Sequence, residues 1–250
     1  MVIVMKKERI DKLLQSKGLA ESRTKAQALV MAGVVLVGEK RVEKPSESFL
    51  PDAPIRIKGG SAESRYVGRG GLKLEKALVE FGIDPKGSVC LDVGSSTGGF
   101  TDCLLQHGAA RVTAIDAGTN QLVWSLRTDP RVDSRENTNA RNLKPEDFAT
   151  LFDLIVVDVS FISVTKILPA VLSLLTKNGK LIVLIKPQFE VGRGEVGKGG
   201  IVRDAEKHQS VVTGVNAFAV SIGLKASGLI ESPIFGAGGN KEFLAFYEKG

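Results

Sequence analysis

Val89-Cys-Leu-Asp-Val-Gly-Ser-Ser-Thr-Gly-Gly-Phe100 and, a helix-length later, Ala114-Ile-Asp116 decide the fold of this chain. The first run reads as a buried strand, a glycine-rich turn and the start of a helix. The second reads as the end of another strand, closed by an acid. Such a unit suits a nucleoside-bearing ligand, because glycines let the backbone approach it and a strand-end carboxylate accepts ribose hydroxyls. The spacing Gly94-x-x-x-Gly98-Gly99 is not the G-x-G-x-x-G of dinucleotide sites. A sulfonium cofactor such as S-adenosylmethionine fits it better than a pyrophosphate. A tight strand-to-helix turn with no ligand would use the same glycines.

The surrounding pattern extends this unit. A helix is expected over 72–81, with Leu74, Ala77, Leu78 and Phe81 on one face. Strands are expected at 88–93, 111–115, around 132–136, 153–158 and 180–185. A long helix over about 204–222 then leads to strands at 224–230 and 242–248. Leu154-Ile-Val-Val157 and Leu181-Ile-Val-Leu-Ile185 are apolar throughout, as strands buried on both faces are. The expected class is α/β, with a mostly parallel Rossmann-like sheet that binds ligands outside the carboxyl ends of its strands.

The first quarter of the chain is different. Residues 1–58 hold twelve Lys/Arg against seven Asp/Glu, and the remaining residues twenty-two against twenty-one. Nearly all of the overall charge of +6 therefore lies at the front, where phosphate contact is expected, although a solvated lysine-rich face gives the same count. Ile10, Leu13 and Leu14 mark a short amphipathic helix ending near Gly18. Ser22 caps a second helix over 23–32, closed by Gly33. A hairpin over 34–42 and a strand over 54–57 follow. Arg9, Lys12, Arg23 and Lys25 on the helix pair, with Lys40 and Arg41 at the hairpin, form the candidate RNA platform. Residues 61–71, rich in Gly, Ser and Arg, read as the connector, which gives domains at 1–60 and 72–250.

At 250 residues the chain can bury one or two cores. No apolar run approaches the ~20 residues of a membrane span. Met1 to Met5 is too short for a signal-peptide core, and Met5 offers an alternative start. Cys90 and Cys103 read as small buried hydrophobes, not as a disulfide or zinc framework. A soluble, cytoplasmic protein is expected, a monomer or weak oligomer, without a metal.

Two resemblances sharpen this reading. Arg9-Ile-Asp-Lys-Leu-Leu14, Gly18, Ser22-Arg23, Ala26 and Gly33-Val-Val-Leu-Val-Gly38 resemble the S4 RNA-binding domain over about residues 6–60. Val37 departs from the asparagine usual before the hairpin glycine. The second module resembles the ribose 2′-O-methyltransferases of the FtsJ/RrmJ type, whose site is a Lys-Asp-Lys-Glu tetrad. Lys73 fits the first lysine, Asp158 the acid closing its strand, Lys186 the second lysine in Leu184-Ile-Lys-Pro-Gln-Phe189, and Glu242 the last acid. Together the modules, with Gly68-Arg-Gly-Gly-Leu-Lys73, Asp158-Val-Ser-Phe-Ile-Ser163 and Lys186-Pro-Gln-Phe-Glu-Val-Gly192, are similar to the hemolysin A (TlyA) family of ribosomal RNA 2′-O-methyltransferases. The resemblance implies methylation of a cytidine of 23S rRNA and, in some members, one of 16S rRNA, with ribosomal RNA or subunits as partners.

The chemistry expected of the tetrad follows from the reaction. A ribose hydroxyl is a poor nucleophile whose proton must leave as oxygen attacks the methyl carbon. Lys186 is expected either to act as base or to stabilise the developing alkoxide, oriented by Asp158, while Lys73 and Glu242 steer the ribose. A mere Lys186–Asp158 ion pair is the structural alternative. Cofactor contacts are expected from Asp92, Gly94, Ser95, Gly98, Gly99 and Phe100, from Asp116 to the ribose, and from Asn139 to adenine; a turn-capping asparagine is the alternative for Asn139. His107 and His208 read as surface or packing residues and Trp124 as a core aromatic, with a place lining the cofactor pocket as its alternative. The glycine-rich stretch 192–200 reads as a mobile, RNA-facing lid. The rivals are a membrane-active hemolysin and a non-catalytic ribosome-assembly factor.

Overall fold

A computed structural model describes residues 7–20, 22–31, 33–38, 40–57, 65–192, 194–197 and 199–250. The alternative start at Met5, residues 58–60, residues 61–64 of the expected connector, Glu21, Ala32, Glu39, Arg193 and Lys198 lie outside the described residues. The chain divides into two units, with the boundary between Arg65 and Tyr66.

In the N-terminal unit, β1 (Glu8–Arg9) runs into α1 (Ile10–Ser16), which is followed by α2 (Arg23–Met31). Gly18 ends α1 in the left-handed conformation at φ +68°, which lets Leu19 N donate to Leu14 O at 2.8 Å. At the start of α2, Ser22 Oγ accepts from Lys25 N at 3.2 Å. β2 (Val35–Val37) is flanked antiparallel by β3 (Lys40–Arg41) and β5 (Ile55–Ile57). β4 (Ser48–Phe49) pairs with β1. Ile10, Leu14, Ala26, Val30, Val35 and Val42 form the core.

The C-terminal unit begins earlier than the composition suggests. Tyr66 is buried, and Gly70 and Gly71 open α3 (Gly70–Glu80) instead of belonging to a connector. The reason is packing: a Cβ at Gly71 would lie 2.3 Å from the Tyr66 ring. The elements that follow are β6 (Val89–Val93), α4 (Gly99–Gln106), β7 (Arg111–Ile115), α5 (Trp124–Arg127), β8 (Val132–Arg135) and β9 (Phe152–Val157). Then come α6 (Leu168–Leu174), β10 (Leu175–Ile185), α7 (Pro187–Glu190), α8 (Ala205–Ser221), β11 (Leu224–Glu231) and β12 (Phe243–Lys249).

These strands form one seven-stranded sheet in the order β11-β12-β10-β9-β6-β7-β8. β10, β9, β6, β7 and β8 are parallel, and β12 runs antiparallel between β10 and β11. Alternation along the strands feeds two cores. Cys90, Val112, Val156, Ile182 and Leu244 pack on the face that carries Leu74 and Leu78 of α3 and Leu104 of α4. Leu91, Ile155, Val183 and Tyr247 pack on the other, with Leu168 of α6 and Val215 of α8. The antiparallel β12 brings its amino end to the edge where β6, β9 and β10 present their carboxyl ends. That edge holds the site.

Candidate active site

The glycine turn is built by hydrogen bonds from the neighbouring strand. Gly94 N and Ser95 N both donate to Ile115 O, at 2.9 and 3.0 Å. Gly94 has φ +87° and Gly98 φ +102°, and neither tolerates a side chain. A Cβ at Gly94 would lie 2.4 Å from the Asp158 carbonyl oxygen, and one at Gly98 would lie 2.3 Å from Leu126. Asp116 braces the turn: its carboxylate accepts from Ser96 N at 2.8 Å and from Gly118 N at 2.7 Å. A cavity of about 600 Å³ opens beside it, lined by Gly94, Asp116, Asn139, Asp158 and Phe161, with Ile115, Ile162 and Ile167 as its apolar wall. A narrower hollow of about 110 Å³ reaches Ser95, Gly99, Phe100 and Gly70. The set fits a nucleoside: an apolar slot for a base, a carboxylate with lone pairs to spare for ribose hydroxyls, and close backbone.

Two of the expected cofactor residues bond to the protein itself, and of these Asn139 lines the cavity while Asp92 does not. Asp92 is completely buried beneath the turn, where its Oδ2 accepts from Thr101 Oγ1 at 2.6 Å. Burial pushes its carboxyl up to about 7. Its Oδ1 has no hydrogen-bond partner among the described residues. Asn139 uses its Oδ1 to cap the short turn at 140–142, accepting from Arg141 N at 3.1 Å, and also lines the cavity.

The four tetrad positions come together as two ion pairs, one buried and one partly open. Lys73 Nζ, in the first turn of α3, lies 2.5 Å from Glu242 Oε2, with side chains 10% and 2% exposed. Lys186 Nζ lies 2.5 Å from Asp158 Oδ1, with side chains 11% and 20% exposed. That second contact is a charge pairing without hydrogen-bond alignment; the aligned bond runs from Lys186 Nζ to Ser160 Oγ at 2.9 Å. Sheet register sets the pairs side by side. Val157 stands opposite Val183 and Ile185 opposite Phe243, so the next residues, Asp158, Lys186 and Glu242, emerge at one edge. Asp158 is also against the turn, with its N–H donating to Val93 O at 2.9 Å.

Three residues of this edge were not singled out by sequence. Ser160 is the first. Phe161 is the second: it is 91% exposed, holds φ +65°, and its ring lies 5.1 Å from that of Phe189. A bulky residue in the left-handed region is strained, and such strain collects at functional sites. The third is Asn240, whose side chain accepts from Val202 N at 3.0 Å and donates to Gly200 O at 2.9 Å, tying the described end of the 192–200 stretch to the segment that carries Glu242.

Trp124 corrects an expectation. It is 76% exposed and is not among the residues lining the cavity, because α5 turns Leu126 inward onto Gly98 and leaves the indole outside. His107 Nδ1 and His208 Nε2 each lie 2.8 Å from a backbone carbonyl oxygen, of Cys103 and Val202 respectively. Among the described residues no cluster of His, Cys, Asp and Glu has the shape of a metal site. No described helix is long and apolar enough to cross a membrane. In the N-terminal unit Lys12, Lys25, Lys40 and Arg41 are exposed, while Arg9 and Arg23 both meet the buried Asp11.

Residues 66–249 match the family of FtsJ-like methyltransferases and residues 8–53 match the S4 domain. The chain belongs to the FtsJ-like methyltransferases. Within that family it is 50% identical to YqxC of Bacillus subtilis, which is provisionally named an rRNA methyltransferase, over 96% of this chain and 85% of the relative. It is 42% identical to the 16S/23S rRNA (cytidine-2′-O)-methyltransferase TlyA of Mycobacterium tuberculosis, over 95% of this chain and 88% of the relative. A solved structure from Streptococcus thermophilus, provisionally called a hemolysin, superposes with a TM-score of 0.76 at 48% identity, over 98% of this chain and 90% of that one. The FtsJ-like match ends within one residue of the chain's last and begins at Tyr66, where the C-terminal unit begins.

Proposed function

We propose that this FtsJ-like methyltransferase transfers a methyl group from S-adenosylmethionine to the 2′-hydroxyl of a cytidine in ribosomal RNA. The observation that carries the reading is the edge itself: two lysine–carboxylate pairs emerge there, and Asp158 of one of them also lines the glycine-walled cavity. The sulfonium supplies an activated methyl group when bound. Gly94, Ser95, Gly98 and Gly99 would hold the cofactor through close backbone, with Phe100 and the bonded Asp92 and Thr101 supporting the turn from below. Asp116 would accept the ribose hydroxyls and Asn139 would meet the adenine edge.

Lys186 is the group at the reacting oxygen. Held by Asp158 and Ser160, it donates a hydrogen bond to the ribose oxygen as negative charge develops there, and the Lys186–Asp158 pair takes up the hydroxyl proton. The O–C bond forms as the S–C bond breaks, so charge leaves the sulfonium while the pair gains a proton. Lys73 and Glu242 fix the ribose. Phe161, exposed at the mouth of the cavity, offers its ring for the target base to stack on once that base has left its helix. The N-terminal unit supplies phosphate contacts through Arg9, Lys12, Arg23, Lys25, Lys40 and Arg41. The protein would meet this substrate in the cytoplasm.

The test has two arms. Calorimetry with S-adenosylmethionine and with NAD should show binding of the first alone. Tritiated methyl incorporation into undermethylated ribosomal subunits should yield alkali-resistant product. NAD binding, or label that is lost on alkaline hydrolysis, would contradict the reading.

A further inference from the structure

Asp11 is an unusual residue to bury. It sits in the first turn of α1, fully enclosed, with its two oxygens facing donors from three residues on two neighbouring elements. Arg9 of β1 grips it through two N–H groups, Nε to Oδ1 at 3.1 Å and Nη2 to Oδ2 at 2.9 Å. Arg23, the first residue of α2, donates from Nε to Oδ2 at 3.0 Å. Gln27, one turn further along α2, donates from Nε2 to the same oxygen at 3.0 Å. The bonds from Arg9, Gln27 and Arg23 hold the carboxyl well below the usual range against the opposing effect of burial.

This arrangement differs from an ordinary surface salt bridge. One carboxylate neutralises one of two guanidinium charges and leaves a net positive pair. Asp11 occupies only the Nε edge of Arg23 and the Nε–Nη2 edge of Arg9. The two arginine side chains are 41% and 47% exposed, so both stay open to solvent while they hold the acid. Two planar guanidiniums, one on β1 and one at the start of α2, held by the same carboxylate oxygen suit the oxygens of a phosphodiester backbone, and fixing them beforehand removes the rotamer entropy that free arginines lose on binding.

We propose that Asp11 is a positioning residue for RNA binding: it holds Arg9 and Arg23 as one preformed phosphate clamp on the N-terminal unit. The proposal rests on the reading of this protein as an RNA methyltransferase. It makes the acid itself favourable to RNA affinity, although an acid near phosphate ordinarily repels it. That reversal of sign separates positioning from charge.

The experiment measures affinity of the full chain for unmodified in-vitro-transcribed 23S rRNA across a salt series, with a thermal melt of each variant. Arg23→Ala should weaken binding and flatten the salt dependence; no change would remove this surface from the RNA reading. Asp11→Asn keeps the shape and raises the net charge by one. It should nonetheless weaken binding about three- to ten-fold with a flatter salt slope. Unchanged or tighter binding by Asp11→Asn, alongside a loss in Arg23→Ala, would overturn the clamp and leave the RNA reading standing. Gln27→Ala removes a bond to the same oxygen without touching either arginine and should bind as the parent does; a loss equal to that of Asp11→Asn would reduce Asp11 to a staple between helices. Arg23→Lys settles the question even if Asp11→Asn unfolds. It keeps the charge and loses the fork, so a loss close to that of Arg23→Ala supports the clamp and parental affinity refutes it.

Discussion

Glu242→Gln is the substitution whose cost the structure sets most clearly. Glu242 and Lys73 are 2% and 10% exposed and 2.5 Å apart, so removing the negative charge leaves a buried ammonium without its counter-ion. Breaking a buried pair from one side costs roughly 3–5 kcal/mol. The slight opening at Lys73 favours the lower end, about 3 kcal/mol. For a domain of this size each kcal/mol moves the melting temperature by roughly 2–4 °C, so a fall of about 6–12 °C is expected. The same helix carries its own control. Lys76 and Glu80 lie 2.6 Å apart, nearly the same distance, but are 45% and 43% exposed. Glu80→Gln should therefore cost no more than about 0.5 kcal/mol. A double replacement, Lys73→Met with Glu242→Leu, should recover most of the lost stability while methyl transfer stays absent, because an apolar pair needs no compensation. Melting followed by circular dichroism reads all four proteins. If Glu242→Gln melts within a degree or two of Glu80→Gln, the pair is not desolvated and the reasoning fails.

Lys186→Ala should lower methyl transfer by about a hundred-fold or more while S-adenosylmethionine affinity, measured by calorimetry, stays within about two-fold, since the group acts at the reacting oxygen. Phe161→Gly relieves a left-handed backbone but gives up the contact with Phe189, so stability in urea should stay within about 1 kcal/mol of the parent. Methylation by this variant should fall at least about ten-fold; full activity would leave the exposed ring without a role. Asp92 titrates at about 7 in the folded state against an ordinary 3.8, so the folded protein holds this proton more tightly than the unfolded chain. The stability it contributes is complete below about pH 4 and is lost as pH rises to about 7. Asp92→Asn should flatten that part of the stability–pH curve, which denaturant titrations at several pH values will show.

Much of this was legible in the sequence because the determining residues are local. The run from Val89 to Phe100 needs its glycines where φ is positive or backbone crowds in, and Leu154 to Asp158 and Leu181 to Lys186 read as buried strands ending in charge. Asp158 and Lys186 were legible as charges at strand ends, and Lys73 and Glu242 through the resemblance to the FtsJ-type tetrad. The pairing of Lys186 with Asp158 was legible too, from neighbouring strand ends, but that of Lys73 with Glu242 was not, because it depends on β12 running antiparallel beside β10. β10 begins five residues before its expected start, since Asn178-Gly179 imitates a turn yet only interrupts the register between Leu175 and Lys180. Glu8–Arg9 and Ser48–Phe49 are too short for alternation to reveal. Trp124 was misjudged from hydrophobicity alone, although α5 has only four residues and its Leu126 takes the inner position. Phe161 gives no sequence signal, because its strain lies in a dihedral angle. Asp11 is ordinary in sequence as well, and only the convergence of Arg9, Arg23 and Gln27 distinguishes it.

The most direct test of the central claim is to map ribose methylation at nucleotide resolution on undermethylated ribosomal RNA treated with S-adenosylmethionine and either the parent protein or Lys186→Ala. The account predicts new 2′-O-methyl groups confined to cytidines with the parent protein and none with the variant. Methylation on a base, methylation spread over all four nucleotides, or an equal yield from the Lys186→Ala protein would contradict it.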